Sequence, residues 1–208
     1  MSLPASVLVV GLGNVLLGDE GIGVHVARAL KERSLAGEVD VLDGGTVGYD
    51  LLPWLQGRAR VILVDAIRAR GAPGTIYRIP AEEVAGALPA ADSAHGSDIG
   101  LLIRAGLALE PAPEILIVGI VPESFDRYCL ELSPCLRSRF DSIVEAVLEA
   151  AQFRSAAAGG KTEVARNRSF LLNTDAGSIP GASTNDLGRR FAPIESPAPS
   201  TRVPDSVS

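Results

Sequence analysis

Short apolar runs alternate with turn residues over about the first 150 residues of the chain. Five runs are rich in branched apolar residues and end at turn-forming residues, which predicts buried β-strands. Between them apolar residues recur at helical spacing, most clearly after the helix-start pair Ser133-Pro134. The fourth run follows a GAPG turn so closely that no crossover helix fits, so we expect that strand to be antiparallel. The predicted strands are residues 6–11, 38–43, 60–65, 74–80 and 114–121, and the predicted helices are residues 19–33, 46–57, 99–109 and 134–151.

This alternation predicts a three-layer α/β/α sandwich around a mostly parallel, twisted sheet of about five strands. The first helix is expected to use Asp19 as its N-cap. Periodicity ends near residue 153, so residues 1–153 are predicted to form one domain and residues 154–208 a disordered tail. Within the tail, only FLLN at residues 170–173 has the composition of a short ordered element.

Charge and composition narrow the class of function. The chain has 208 residues and a formal net charge of -6, with no basic stripe interleaved with aromatic residues, so nucleic acid is not expected as a partner. No apolar run has the length of a membrane span, and we expect a cytoplasmic protein with no membrane association. Cys129 and Cys135 fit neither a CxxC pair nor a zinc knuckle, so they are expected to be reduced thiols.

The turn after the first predicted strand, GLGN at residues 11–14, has part of a dinucleotide-binding pattern. Leu16 stands where the third glycine of that pattern would allow close packing around a pyrophosphate. Asp19 and Glu20 also place two negative charges at the start of the next helix, where a phosphate would have to bind. The turn therefore favours a cation over a phosphate.

Acidic residues close the next two predicted strands. Asp43 ends one and Asp65 the other, and the carboxyl ends of parallel strands meet at one edge of the sheet, beside Glu20. Carboxylates brought close together repel each other unless they share a proton or a cation. His95, in the polar stretch ADSAHGSD, adds a nitrogen ligand, a combination that suits zinc, nickel or iron. The other histidine, His25, is expected to be a helix boundary residue and not a ligand.

These residues lie in segments that resemble the hydrogenase maturation endopeptidases, which process the large subunit of nickel–iron hydrogenases. The resemblance covers about residues 6–150, in order and with suitable spacing. It rests on VLVVGLGNVLLGDEGIGVHVARAL, VLDGGTVGYDLL, VILVDAI with APGT downstream, a Ser-x-His loop, and IVGIVPES leading to LSP. Ala94 departs from the pattern, because several family members carry proline between the serine and the histidine of the loop.

The resemblance implies an endopeptidase that senses nickel. Its metal site would be formed by Glu20, Asp65 and His95, which match the family's ligands one by one. The nickel would arrive with the partner, the hydrogenase large-subunit precursor, and its presence would license removal of a C-terminal extension by a monomeric enzyme. Asp43, in the family's DGGT segment, is implicated in substrate recognition or catalysis.

Two other classes of function stay open from the sequence alone. One is a nickel-binding chaperone that uses the same ligands without cutting, and the other is a nucleotide-binding α/β protein. For the protease, the sequence does not decide whether the metal or a carboxylate activates the attacking water.

Overall fold

The computed structural model of the chain describes residues 6–33, 35, 39–87, 98–125, 127–152 and 171–172. Six strands and five α-helices, with two short 3₁₀ turns, are found in this part of the chain. In chain order they are β1 (Val7–Leu12), a 3₁₀ turn (Gly18–Gly21), α1 (Ile22–Glu32), β2 (Val39–Gly45), a second 3₁₀ turn (Gly48–Leu51), α2 (Leu52–Leu55), β3 (Arg60–Arg68), β4 (Ile76–Pro80), α3 (Ala81–Ala87), α4 (Asp98–Leu107), β5 (Glu114–Ile120), α5 (Pro134–Gln152) and β6 (Leu171–Leu172).

The main sheet has the strand order β2-β1-β3-β5-β4, and β6 pairs with β3 outside this path. Strands β2, β1, β3 and β5 are parallel, whereas β4 runs antiparallel to β5. The antiparallel direction of β4 confirms the inference from the short GAPG connection. No helix in the described ranges is both long enough and apolar enough to cross a bilayer.

Helices cover both faces of the sheet, which confirms the three-layer sandwich. On one face α1 and α5 pack against β-strand residues that include Val9, Ile62 and Val64. On the other face α2, α3 and α4 pack against residues that include Leu63 and Ile67. Because side chains alternate along a strand, each β3 residue can be assigned to one of these two layers. We call them the α1/α5 face and the α2–α4 face.

Helix α1 lies unusually close to the ends of β1 and β3. A Cβ atom placed on Gly23 would lie 2.1 Å from the carbonyl oxygen of Val64 and 2.5 Å from that of Leu12. A Cβ atom on Gly11 would lie 2.1 Å from the carbonyl oxygen of Gly23. Both positions therefore require glycine, and the first glycine of the GxG pattern serves packing between helix and strand.

Some of the predicted helices match the structure and others do not. Helix α5 begins as predicted, and the side chain of Ser133 accepts a hydrogen bond of 3.2 Å from the Leu136 N–H. The helix predicted over residues 46–57 is instead the Gly48–Leu51 turn followed by the single turn of α2. Pro53 in its first turn and the β-prone residues before it restrict this segment. Helix α3 was not predicted.

The two-residue strand β6 comes from the segment FLLN. Leu172 pairs with Ile67 and Leu171 pairs with Arg68, in antiparallel register. The rest of the predicted tail, 153–170 and 173–208, lies outside the described residues. The prediction that residues 154–208 form a disordered tail therefore stays a prediction.

Candidate functional site

Asp65 lies near the carboxyl end of β3, just beyond the last residue of β3 that pairs with β1. It is only 5% exposed, and its carboxylate oxygen Oδ1 accepts a 2.8 Å hydrogen bond from the Ala66 N–H. Leu63 and Ile67, two residues before and after it, belong to the layer beneath α2–α4. Asp65 therefore points to the α2–α4 face, at the carboxyl edge of the sheet.

Glu20 is held in the 3₁₀ turn between β1 and α1. Its Oε2 atom accepts a hydrogen bond of 2.6 Å from the Asn14 N–H, and the Asn14 side chain in turn accepts a 3.0 Å bond from the Leu16 N–H. Gly13, with a φ of 116°, lets the two ends of this loop meet, since a Cβ there would lie 2.0 Å from the Glu20 carbonyl oxygen. The turn also contacts β3.

The charge of Glu20 acts on the buried carboxyl group of Asp65. Burial raises the pKa of Asp65 from 3.8 to about 8, the hydrogen bond from Ala66 opposes this rise, and the charge of Glu20 adds to it. Burial also raises the pKa of Glu20, against the hydrogen bond from Asn14. The pair therefore favours a bound proton over two negative charges. A cation that neutralises both carboxylates would remove the same repulsion.

Asp19 has a different role from its neighbour, and the prediction that it caps α1 is wrong. The residue before α1 is Gly21, and no side chain caps that end of the helix. Asp19 is buried, and its two carboxylate oxygens accept hydrogen bonds from the Glu123 N–H (2.9 Å) and the Ser133 N–H (2.7 Å). It lies two residues before the N-cap position of α1. Its carboxylate ties the turn to the segment between β5 and α5.

Asp43 lies at the same edge of the sheet as Asp65 but faces the other layer. In the parallel register, Gly11 of β1 pairs with Asp43 on one side and with Val64 on the other. Asp43 therefore shares the face of Val64, and Asp65, one residue later, has the opposite orientation. On the α1/α5 face, Asp43 forms a 3.1 Å ion pair with Arg28 of α1.

His95 lies outside the described residues, in the interval between α3 and α4. Helix α4 begins three residues after it, at Asp98. Near the other end of that helix, Gly106 abuts Ile115 at the start of β5, so the first turn of α4 is directed toward the carboxyl edge of the sheet. Within the part of the chain that the structure describes, no three His, Cys, Asp or Glu side chains form a metal cage.

An open cleft lies beside the 3₁₀ turn Gly18–Gly21. It is bordered by Asp19 and not by Glu20 or Asp65. Its remaining lining consists of Gly18 and of acidic, basic and hydroxyl side chains, namely Glu123, Ser124, Arg127, Glu131 and Ser133. The cleft is therefore distinct from the carboxylate pair.

Known proteins match most of this domain. A family model described as hydrogenase maturation protease (HycI) matches residues 24–150. The chain belongs to the hydrogenase maturation protease family. It is 35% identical over 147 residues to the hydrogenase 2 maturation protease of Escherichia coli (strain K12), which covers 69% of this chain and 89% of that protein. It is 34% identical over 150 residues to the hydrogenase expression/formation protein HupD of Rhodobacter capsulatus, which covers 70% and 71% of the two chains.

Comparison of the fold with solved structures indicates the same family. The hydrogenase-maturating endopeptidase HybD from E. coli superposes with a TM-score of 0.58 at 37% identity, covering 69% of this chain and 90% of that structure. Family and fold confirm the resemblance inferred from the sequence motifs. The protein is a peptidase, and thus a hydrolase.

Sequence reasoning missed Asn14 as a part of the site. Its side chain forms an Asx turn with Leu16, while its backbone N–H holds the Glu20 carboxylate. The signal was present, because an asparagine directly after GLG is typical of a turn that needs a side-chain acceptor.

Proposed function

We propose that this hydrogenase maturation protease removes a C-terminal extension from the nickel-loaded precursor of a nickel–iron hydrogenase large subunit, and that Glu20, Asp65 and His95 detect the nickel. Membership in the family supports the reaction and the class of substrate. The metal belongs to the substrate, and the enzyme contributes ligands that recognise it.

The observation that carries the proposal is the buried carboxyl of Asp65 beside Glu20. Burial raises the pKa of Asp65 to about 8, with the charge of Glu20 adding to the rise, and burial also raises the pKa of Glu20. Near neutral pH the pair holds a proton that a divalent cation would displace on binding. Such a site gains affinity only for a precursor that brings the cation, and this difference in affinity separates loaded from empty precursor.

The position of α4 supports His95 as the third ligand. The helix packs on the α2–α4 face, the face to which Asp65 points, and its first turn is directed to the carboxyl edge of the sheet. His95 precedes this turn by three residues, a span of at most about 10 Å of extended chain.

Asp43 is the candidate for a carboxylate that acts on the peptide, as in an aspartic-type endopeptidase. Its ion pair with Arg28 keeps it oriented at the carboxyl edge, and it is 30% exposed, so a substrate has access to it. Since Asp43 and Asp65 face opposite layers, the proposal gives them separate tasks, with metal recognition assigned to Asp65.

The test is processing of the purified large-subunit precursor, followed as a shift to a shorter product on a gel. Glu20→Gln, Asp65→Asn and His95→Ala should each slow processing of the nickel-loaded precursor by at least about 100-fold, because each removes a ligand. His95→Ala should change stability by less than about 1 kcal/mol, as for most surface positions. A thermal melt of every variant checks this, and Asp141→Asn, at an exposed position of α5, is the matched control.

Two results would contradict the proposal. Wild-type rates from a folded His95→Ala variant would remove His95 from the site, and equal rates on nickel-loaded and nickel-free precursor would remove metal sensing altogether. Tight binding of the loaded precursor without any shortening would instead indicate a nickel-binding chaperone. The cytoplasmic location and the monomeric state stay predictions.

A further inference from the structure

Strand β3 projects beyond both of its neighbours. Its pairing with β1 ends at Val64 and its pairing with β5 ends at Ala66, while the strand itself continues to Arg68. We call the last two residues, Ile67 and Arg68, the projecting end of β3. The backbone of a strand end carries N–H and C=O groups that accept an added strand.

The projecting end is paired with the protein's own chain. Leu171 and Leu172 of β6 form two antiparallel pairs with it, and in the described residues β6 is the strand that pairs with β3 there. More than 100 residues of sequence separate the two strands. The contact between β6 and β3 consists of only two residue pairs. Because even a longer isolated pair of strands is at best marginally stable, a competing peptide can displace β6.

The pairing direction leads toward the carboxylate site. Because β6 is antiparallel to β3, a chain that passes from Leu171 to Leu172 moves along β3 toward Asp65. Asp65 and Ile67 lie two residues apart on the same face, a separation of roughly 6.6 Å. The peptide bonds that follow the residue paired with Ile67 would thus be directed toward Asp65.

We propose that the projecting end of β3 is a substrate subsite. It receives, as an added antiparallel strand, the segment of the precursor that is cut. In the free enzyme Leu171–Leu172 occupies this subsite and competes with the precursor. The identity of the incoming peptide rests on the proposed function. Strand addition suits a protease of this kind because backbone hydrogen bonds align an extended peptide without regard to most of its side chains.

Competition from a tethered segment has a kinetic signature. A ligand that can bind only to the open fraction of a site shows an affinity reduced by that fraction, while the chemistry of the bound state is unchanged. Weakening the β6 pairing should therefore lower KM for the precursor and leave kcat as it is.

The experiment uses the full-length protein with Leu171→Pro and Leu172→Pro together. Proline has no N–H to donate to a strand ladder, so the pair should release the projecting end. We expect KM for nickel-loaded precursor to fall by at least about threefold, with kcat unchanged. Leu187→Pro, a leucine of the same tail, is the matched control and should behave as wild type.

A second measurement does not depend on proteolysis. A fluorescent peptide with the sequence of residues 165–176, ARNRSFLLNTDA, should bind the double-proline variant and slow amide hydrogen exchange at Ile67 and Arg68. A scrambled peptide should do neither. Unlabelled peptide should inhibit processing competitively with the precursor.

The outcomes separate this inference from the proposed function. Normal processing with an unchanged or higher KM in the double-proline variant, and no protection of Ile67 and Arg68 by the peptide, would overturn the subsite and leave the proposed function intact. Specific protection of these amides by the peptide, in a protein that processes no hydrogenase precursor, would support the strand-binding end and overturn only its proposed substrate.

Discussion

The buried carboxyl of Asp65 should make the metal-free protein less stable as the pH rises. In the folded protein the pKa of this group is about 8, mainly because burial penalises the charge. In the unfolded chain it returns to its usual value of 3.8. Between these two values the folded state binds a proton that the unfolded state has lost, so the free energy of unfolding falls with increasing pH.

The size of the effect follows from one proton. One proton bound only by the folded state changes stability by about 1.4 kcal/mol per pH unit. From pH 5 to pH 7 this group alone should therefore remove about 3 kcal/mol, a large part of the 5–15 kcal/mol typical of a domain. Stability from this source is fully present below pH 4 and fully lost above the folded pKa of about 8.

Asp65→Asn should abolish this slope, since the amide keeps an oxygen that can accept the Ala66 N–H but does not titrate. The measurement is urea unfolding of both proteins at several pH values from 5 to 8, with EDTA to exclude metal ions. Burial lowers the pKa of His25, which gives a contribution of opposite sign, but it is present in both proteins and cancels in their difference. Curves that stay parallel over this range would refute the reasoning.

Two further predictions concern the positions around the site. Gly23→Ala should destabilise the protein by at least about 2 kcal/mol, because its Cβ would overlap the Val64 carbonyl, whereas Gly86→Ala, with open space in α3, should cost nothing; equal urea midpoints would contradict this. Asp43→Asn should slow precursor processing much more than Arg28→Gln does, and both should unfold within about 1 kcal/mol of wild type, since their ion pair is exposed; equal losses of activity would indicate a purely structural pair.

Most of the fold could be predicted because its central strands are unambiguous in the sequence. The run RVILVDAIR in β3 is buried on both faces and has the near-continuous apolar character of a parallel strand. Helix α5 was equally clear, because its apolar residues recur at helical spacing behind a serine that caps it. The location of Asp65 and Glu20 near the carboxyl ends of β3 and β1 could be predicted because each comes soon after a run of apolar strand residues.

The features that the sequence did not predict correctly are short elements or depend on tertiary contacts. Helix α3 has only seven residues, too few for a clear periodicity. The partners of Asp19 are 104 and 114 residues away in sequence, so local patterns favoured the nearby helix end. The opposite orientations of Asp43 and Asp65 follow from the register of three strands, which a single sequence does not specify.

The turn between β1 and α1 contains two adjacent acids that a mutational survey would confuse. Both carboxylate oxygens of Asp19 accept hydrogen bonds from backbone amides of the protein itself. One carboxylate oxygen of Glu20, by contrast, accepts no hydrogen bond from the described residues. Loss of Asp19 would remove both of these anchoring hydrogen bonds, and loss of Glu20 would remove a carboxylate proposed to bind the metal, so an activity screen would record one phenotype for two different causes. A test of the proposed metal recognition should therefore vary Glu20 and leave Asp19 unchanged as the anchor of the loop.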